Sequence, residues 1–514
     1  MSRERANLCE VNYVRPFTTT RGNLSSRSYF IAPETAIPAS CALPSTWSSP
    51  EHKSLDGLMS PLRRLTSRRT MFSFAKKSPW QLPPNLGPPI PQQEPVDEEV
   101  CPEYNWATFY PANAGEILAE KFQLLVKIGW GSQSTVWLAR DISRLKWQSE
   151  QTVALKIINS NNADNARHEK EIERHIIQQN SEHRGRVILR THLDDFEVTG
   201  PEGKHMCLVY EPMREPLWIL QRRFVDRKLP LPIAKAYIYF LLVGLDYLHS
   251  ECKVIHTDLK LGNILMSFEN GNILTDFIKR QQPMQCKVDS ESGRTIYRCH
   301  NDLGALDVRD IKNMVPKIVD FGLAAKLDKP STRNGVVGEQ LGIYPIQPDY
   351  YRAPEVILGC GWDFKADIWN FGVLLWNILG SMELFQQVHG TKGQYDAKSH
   401  LAEMIALLGP PPNVLLAKSK ALSEHNWPEP VMNDAGKLCN NAQEFFYGPF
   451  FNAEDEFRHS KLIPSRSLED TIPFLEEKDR QAFLSFVRQM LTWLPEKRKT
   501  ARELMDHPFL KLRS

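Results

Sequence analysis

Val254-Ile255-His256-Thr257-Asp258-Leu259-Lys260-Leu261-Gly262-Asn263 gathers a carboxylate, an ammonium and a carboxamide in one short stretch of the 514-residue chain. It follows directly on residues 233 to 250, where Ile233, Ala236, Tyr237, Phe240, Leu241, Gly244, Leu245 and Leu248 recur at helical spacing. Asp258 can accept a hydroxyl proton and aim the oxygen, and Lys260 can neutralise charge on a moving phosphoryl group. Asn263 can ligate a metal. Further on, Asp320-Phe321-Gly322 follows the strand-like residues 317 to 319. Its carboxylate suits Mg²⁺, which prefers hard oxygen ligands together with phosphates.

Upstream, Gly129-Trp130-Gly131-Ser132-Gln133-Ser134-Thr135-Val136 lies between two segments of strand character. Glycines there let backbone N–H groups approach a polyphosphate. Taken alone, the run would be an ordinary glycine-containing hairpin. Val153-Ala154-Leu155-Lys156 then places a lysine in an otherwise apolar strand, where an ammonium needs an anion. Glu171, on a helix expected at about 163 to 179, is the first choice, with Glu169 and Glu173 as fallbacks.

The order and spacing of these stretches resemble a eukaryotic protein kinase from Phe122 to about Leu512. Tyr351-Arg352-Ala353-Pro354-Glu355 is similar to the end of a kinase activation loop, Asp367-Ile368-Trp369-Asn370-Phe371-Gly372 to its central helix, and Pro495-Glu496-Lys497-Arg498 to the site of its late arginine. The resemblance implies an α+β bilobal kinase fold, a small β-rich lobe followed by a larger helical one. It implies ATP and Mg²⁺ as cofactors, with Asn263 and Asp320 as metal ligands and Asp258, Lys260, Lys156 and Glu171 as the catalytic set. ATP would lie against Ile128, Gly129, Trp130, Gly131, Ser132, Gln133, Ser134, Val136, Ala154, Lys156 and Leu265. Glu211 and Met213 would offer hinge backbone bonds to adenine beside the gatekeeper Tyr210. Glu355 and Arg498 inherit a buried ion pair.

Within the superfamily the chain resembles the serine/arginine-rich protein kinases, notably the fungal type. The residues concerned are Phe109-Tyr110-Pro111, the run from Gly129 to Ala139, His256-Thr257-Asp258 with Thr where most kinases have Arg, and Leu408-Gly409-Pro410-Pro411-Pro412. This implies Arg/Ser-rich, splicing-type protein substrates. Thr257 removes the usual grip on an activation-loop phosphate, so loop phosphorylation is expected to be dispensable. Pro348 cannot give the hydroxyl many Ser/Thr kinases use near the base, which leaves Lys260 and Asp349 to align substrate. Lys260 two residues after Asp258 favours Ser/Thr as acceptor.

Composition sets the frame. Formal charge is +2, from 63 Lys+Arg against 61 Asp+Glu, so no global field draws the chain to nucleic acid or membrane. Residues 1–90 hold 12 basic and 5 acidic side chains, which leaves the remainder net acidic. With Pro79, Pro83, Pro84, Pro88, Pro89, Pro91 and Pro95 crowded together, residues 1–100 read as a disordered basic tail and Pro-rich linker. Residues 101–213 then form the small lobe and 214–514 the large one. Between about 267 and 316 lies a polar insert that is cheap to accommodate: two doublings of loop length add about 1.2 kcal/mol of closure entropy. Nine cysteines without a Cys-x-x-Cys pair fit reduced thiols, and the chain is expected in cytoplasm, nucleus or both, as a monomer. The competing reading is a pseudokinase scaffold, against which stands the presence of Lys156, Glu171, Asp258, Asn263 and Asp320.

Overall fold

The computed structural model describes residues 75–82, 89–102, 104–180, 182–280, 283–327, 340–391 and 393–511, and the backbone of Ser331–Arg333 and Val336–Gly338. Expectations for residues 1–74 and 83–88, and for the side chains of Ser331 and Thr332, lie outside the described residues.

Six strands form an antiparallel sheet: β1 (Ile117–Leu118), β2 (Phe122–Trp130), β3 (Ser134–Asp141), β4 (Thr152–Ile158), β5 (Asp194–Gly200) and β6 (Gly203–Tyr210), in the order β1-β2-β3-β4-β6-β5. The β-branched and aromatic runs seen in the sequence make β2, β3 and β4, with registers that set Val136 opposite Lys156 and Ala154 opposite Tyr210. Helix α1 (Ala163–Gln178) crosses this sheet and buries Ala166, Ile172 and Ile176. These lie at the three- and four-residue steps of one helical face.

The second half is mainly helical. After β7 (Glu215–Pro216) and α2 (Leu217–Gln221) comes α3 (Leu231–Ser250), apolar enough by length and composition to cross a membrane yet largely buried in the helical core. Short strands β8 (Val254–Ile255) and β9 (Ile264–Met266) follow. Helix α4 (Asn272–Arg280), strands β10 (Cys286–Val288), β11 (Thr295–Tyr297), β12 (Pro316–Ile318) and β13 (Ala325–Lys326) lead to the short α5 (Pro354–Ile357). The core of the lobe is α6 (Lys365–Gly380), in which every residue from 366 to 379 is buried. A helix apolar all round can only be central. Strand β9 pairs with both β7 and β12, so Asn263 and Asp320 stand at the ends of neighbouring strands, with the Val319 amide donating to the Asn263 carbonyl (3.0 Å).

The structure corrects one expectation about organisation: residues 75–82 and 89–100, read as disordered tail and linker, are held against the sheet. The insert that begins at 267 carries helix and strand. Within the insert, α4 and the β10–β11 hairpin deliver Phe277, Met284, Tyr297 and Leu303 to the core of the small lobe, where Tyr297 meets Trp137 edge to face. Ile90 and Val96 close on Ile296. The physical reason is a buried cation: Lys127, on β2, is 1% exposed. It lies against Glu98 and Asp97 (3.2 Å) and donates to the Tyr297 carbonyl (2.9 Å). Two segments distant in sequence, residues 97–98 and Tyr297, therefore meet at one ammonium on β2. Glu98→Ala leaves Lys127 with Asp97 and the carbonyl only, so destabilisation of roughly 1–3 kcal/mol is expected in chemical denaturation. No change would mean that the Glu98 side chain does not help hold this segment.

Candidate active site

One cleft between sheet and helices gathers Gly131, Ser132, Gln133, Lys156, Asp258, Lys260 and Asp320. Its roof is the β2–β3 turn, where the Gly131 amide donates to the Ser134 carbonyl (2.9 Å). A Cβ at Gly129 would press on Val136 at 3.4 Å, whereas one at Gly131 would meet no protein atom within 4 Å. The space over Gly131 is open cleft, as a polyphosphate requires. Trp130 ends β2, opposite Thr135. Deeper in, Ile128 and Val136, both partly buried, pack against the buried Ala154 and Tyr210. Leu265 is partly buried on β9 below. Glu211 and the buried Met213 follow Tyr210 at the crossing to the helical lobe, and the Glu211 carbonyl accepts from Arg190 Nε (2.9 Å). A carbonyl has two lone pairs, so this bond leaves it able to accept another.

Lys156 is held by Glu169, not by Glu171. Its Nζ lies 2.7 and 3.0 Å from the two Glu169 oxygens and 3.3 Å from Asp320 Oδ1. Glu171 is exposed. Two residues along a helix turn about 200° around its axis, so if Glu169 shares the face of Ala166, Ile172 and Ile176, Glu171 must point away. That signal stands in the apolar spacing itself. Burial opposes charge on Lys156, but Asp320 and Glu169 outweigh it and hold the ammonium above its ordinary value. Burial likewise works against the Asp320 carboxylate, and Lys156, Lys260 and His256 overcome it, lowering its pKa. Glu169→Gln is expected to cut turnover at least tenfold and Glu171→Gln to leave it within about twofold. Steady-state kinetics of the two variants side by side would show the reverse order if the assignment were wrong.

The catalytic-loop segment is held from beneath by Asp367 on α6, which accepts from the backbone amides of His256 (2.7 Å) and Thr257 (3.0 Å) and contacts His249 (2.9 Å). The support is needed because Thr257 sits at φ +67°, a conformation that β-branched residues rarely adopt. The His256 ring receives the Asp258 amide at Nδ1 (3.2 Å), so its Nε2 carries the proton and donates to the Val319 carbonyl (3.0 Å). Asp258 Oδ2 in turn accepts from Asn263 Nδ2 (2.8 Å) and lies 3.1 Å from Lys260 Nζ. Both bonds that the Asn263 side-chain Nδ2 donates go to Asp258, which leaves its amide oxygen to face a cation. With the Asp320 carboxylate this makes a hard oxygen set suited to a divalent ion whose remaining ligands are phosphate and water. Asp349, read together with Lys260 as aligning substrate, pairs with Arg352 (3.0 Å) and His389 (3.0 Å).

Two features went unread in the sequence. Asn159 and Asn162 tether the turn of the roof, Asn162 Nδ2 to Gln133 Oε1 (2.6 Å) and the Asn159 amide to the Gln133 carbonyl (2.9 Å). Thr257 Oγ1 donates to the Leu323 carbonyl (2.7 Å), fixing the start of the segment after Asp320-Phe321-Gly322. A neutral hydroxyl thus occupies the place where a phosphate-gripping cation was missed. Phosphatase treatment of the purified protein is expected to leave its activity within about twofold. A large loss restored by rephosphorylation would refute that.

A bilobal arrangement with a glycine turn, a paired lysine and an Asp-Lys-Asn loop in one cleft defines a phosphoryl-transfer enzyme. The protein kinase domain matches residues 122–510, and the chain belongs to the protein kinase family. It therefore uses ATP and a divalent metal. A serine/threonine protein kinase of Aspergillus fumigatus is 33% identical over 81% of this chain and 91% of its own length. The serine/threonine-protein kinase SRPK of Physarum polycephalum is 30% identical over 80% and 91%. A crystallised kinase domain superposes with a TM-score of 0.52 at 23% identity, covering 79% of this chain and all of its own, and shares the fold.

Proposed function

We propose that this chain is a serine/threonine protein kinase that uses Mg²⁺-ATP and phosphorylates serines in Arg/Ser-rich protein segments. The observation that carries the transfer is the contact of Asp258 with both Asn263 and Lys260 in the cleft that also holds Lys156 and Asp320. The Asp258 carboxylate takes the proton as the acceptor hydroxyl oxygen bonds to the γ-phosphorus, and the bond from that phosphorus to the β-phosphate bridging oxygen breaks, releasing ADP. Lys260 compensates charge on the moving group. Lys156, held by Glu169, is placed to grip the phosphates that stay with ADP. Mg²⁺ held by Asn263 and Asp320 would supply charge neutralisation of the phosphates. The substrate class rests on the resemblance carried by Thr257, the insert and Leu408-Gly409-Pro410-Pro411-Pro412, and on SRPK relatives.

Radioactive phosphate transfer to an Arg/Ser repeat peptide, a basic peptide without Arg/Ser dipeptides and myelin basic protein tests the reading. Preferential labelling of the first is expected. Equal labelling of all three would remove the substrate class, and none at all would leave a scaffold.

A further inference from the structure

Behind the cleft, a buried group of charged and phenolic side chains adjoins Glu169, the partner of Lys156. Tyr210 is 4% exposed, Glu169 4%, Glu173 fully buried. The Tyr210 hydroxyl lies 3.1 Å from Glu169 Oε1 and 3.0 Å from Glu173 Oε1. These two glutamates are one helical turn apart on α1, and like charges at that spacing repel. Each has a second partner: Glu169 has Lys156, and Glu173 Oε2 accepts from the backbone amide and Nδ1 of His192, both at 2.7 Å. The phenol is the group shared between them. Its ring is fixed from the other side by the Arg190 guanidinium, 4.4 Å from the ring centre.

We propose that Tyr210 is a positioning residue for phosphoryl transfer: its hydroxyl, seated between Glu169 and Glu173, locks α1 in the placement that presents Glu169 to Lys156. One O–H proton serves two carboxylates, so the bond can pass from one to the other while the oxygen stays centred. Without the hydroxyl, two buried carboxylate oxygens face each other with no hydrogen between them, and α1 relieves this by turning or shifting. Two further contacts hold the same helix to the other lobe, His168 Nε2 with the Ala324 carbonyl (2.8 Å) and His175 Nε2 with the Cys252 carbonyl (2.8 Å). Tyr210 supplies the matching anchor on the sheet side. A helix tied at all three points has its active placement built in, in keeping with the expectation that a phosphate on the activation loop is dispensable.

The inference rests on the kinase reading, and its test separates the two. Tyr210→Phe keeps the ring and its contact with Arg190 and removes only the oxygen. Its kcat is expected to fall about tenfold, the scale of one hydrogen bond to a charged group, with the KM for ATP changed less than about threefold because the adenine contacts are untouched. Glu173→Gln offers an amide N–H in place of the phenol proton, so the double variant should lose less than the product of the two single losses. Hydrogen–deuterium exchange of the α1 amides should quicken in Tyr210→Phe. Unchanged α1 exchange, or wild-type kcat in Tyr210→Phe, would overturn the proposal. An inactive wild-type protein whose α1 still loosens in Tyr210→Phe would overturn the kinase reading and leave the anchor standing.

Discussion

Asp258→Asn is expected to bind ATP as the wild type does and to transfer phosphate roughly 10² to 10⁴ times more slowly, the scale of losing a positioned base. The substitution preserves the shape of a side chain that is 4% exposed, and its amide oxygen can still accept the bond from Asn263 Nδ2. It cannot take up the hydroxyl proton. Fluorescence titration of a nucleotide analogue beside single-turnover transfer separates binding from chemistry. Asp320→Ala makes the contrasting case, since removing a metal ligand and a partner of Lys156 should weaken nucleotide binding as well as abolish turnover. Normal transfer by Asp258→Asn would sink the assignment of the base.

For stability the largest effect is expected from Arg498→Ala. Arg498 and Glu355 form a two-pronged pair, Nη1 to Oε1 at 2.6 Å and Nη2 to Oε2 at 2.7 Å, although 143 positions separate them. Both side chains are at most 1% exposed. Arg498 also donates to the carbonyls of Thr492 (3.0 Å) and Lys365 (2.9 Å) and lies 5.0 Å from the Trp369 ring centre on α6. Removing one partner of such a pair strands the other charge in the core, at a typical cost of about 3–5 kcal/mol. Calorimetry should show a much lower melting temperature for the helical lobe. Arg498→Lys should recover only part of the loss, because an ammonium cannot make the fork. An unchanged melting temperature for Arg498→Ala would mean that the pair does not bear on stability.

The partner of Lys156 shows how far a sequence can be read and where reading slipped. That a lysine inside an apolar strand demands a carboxylate follows from electrostatics alone, and the helix that supplies it was evident from its spacing. Glu169 shares the buried face of Ala166, Ile172 and Ile176, whereas Glu171, the first choice from the sequence, is exposed. For Asp349, the pair with Arg352 three residues on is local, whereas His389 reaches it from beyond α6, a meeting that no local pattern announces.

By itself the sequence determined the parts whose cause is local or strictly ordered. Apolar residues at helical spacing over 233 to 250 mark α3, and the helix expected at about 163 to 179 coincides with α1. The order of the glycine turn, Lys156, the Asp258 loop and Asp320 carries the resemblance that implies the fold class. Only the tertiary structure decided the placement of residues 75–82 and 89–100 and of the described residues of the insert. The first is proline-rich, which on its own reads as unfolded chain, and the second is a polar stretch that on its own reads only as an insertion. Lys127, whose burial holds them, looks like any polar residue on a strand. Its need for Asp97, Glu98 and the Tyr297 carbonyl appears only once the sheet has removed it from water. The same holds for Tyr210: an aromatic residue ending a strand reads as core, and its hydroxyl gains meaning only when α1 brings two carboxylates to it.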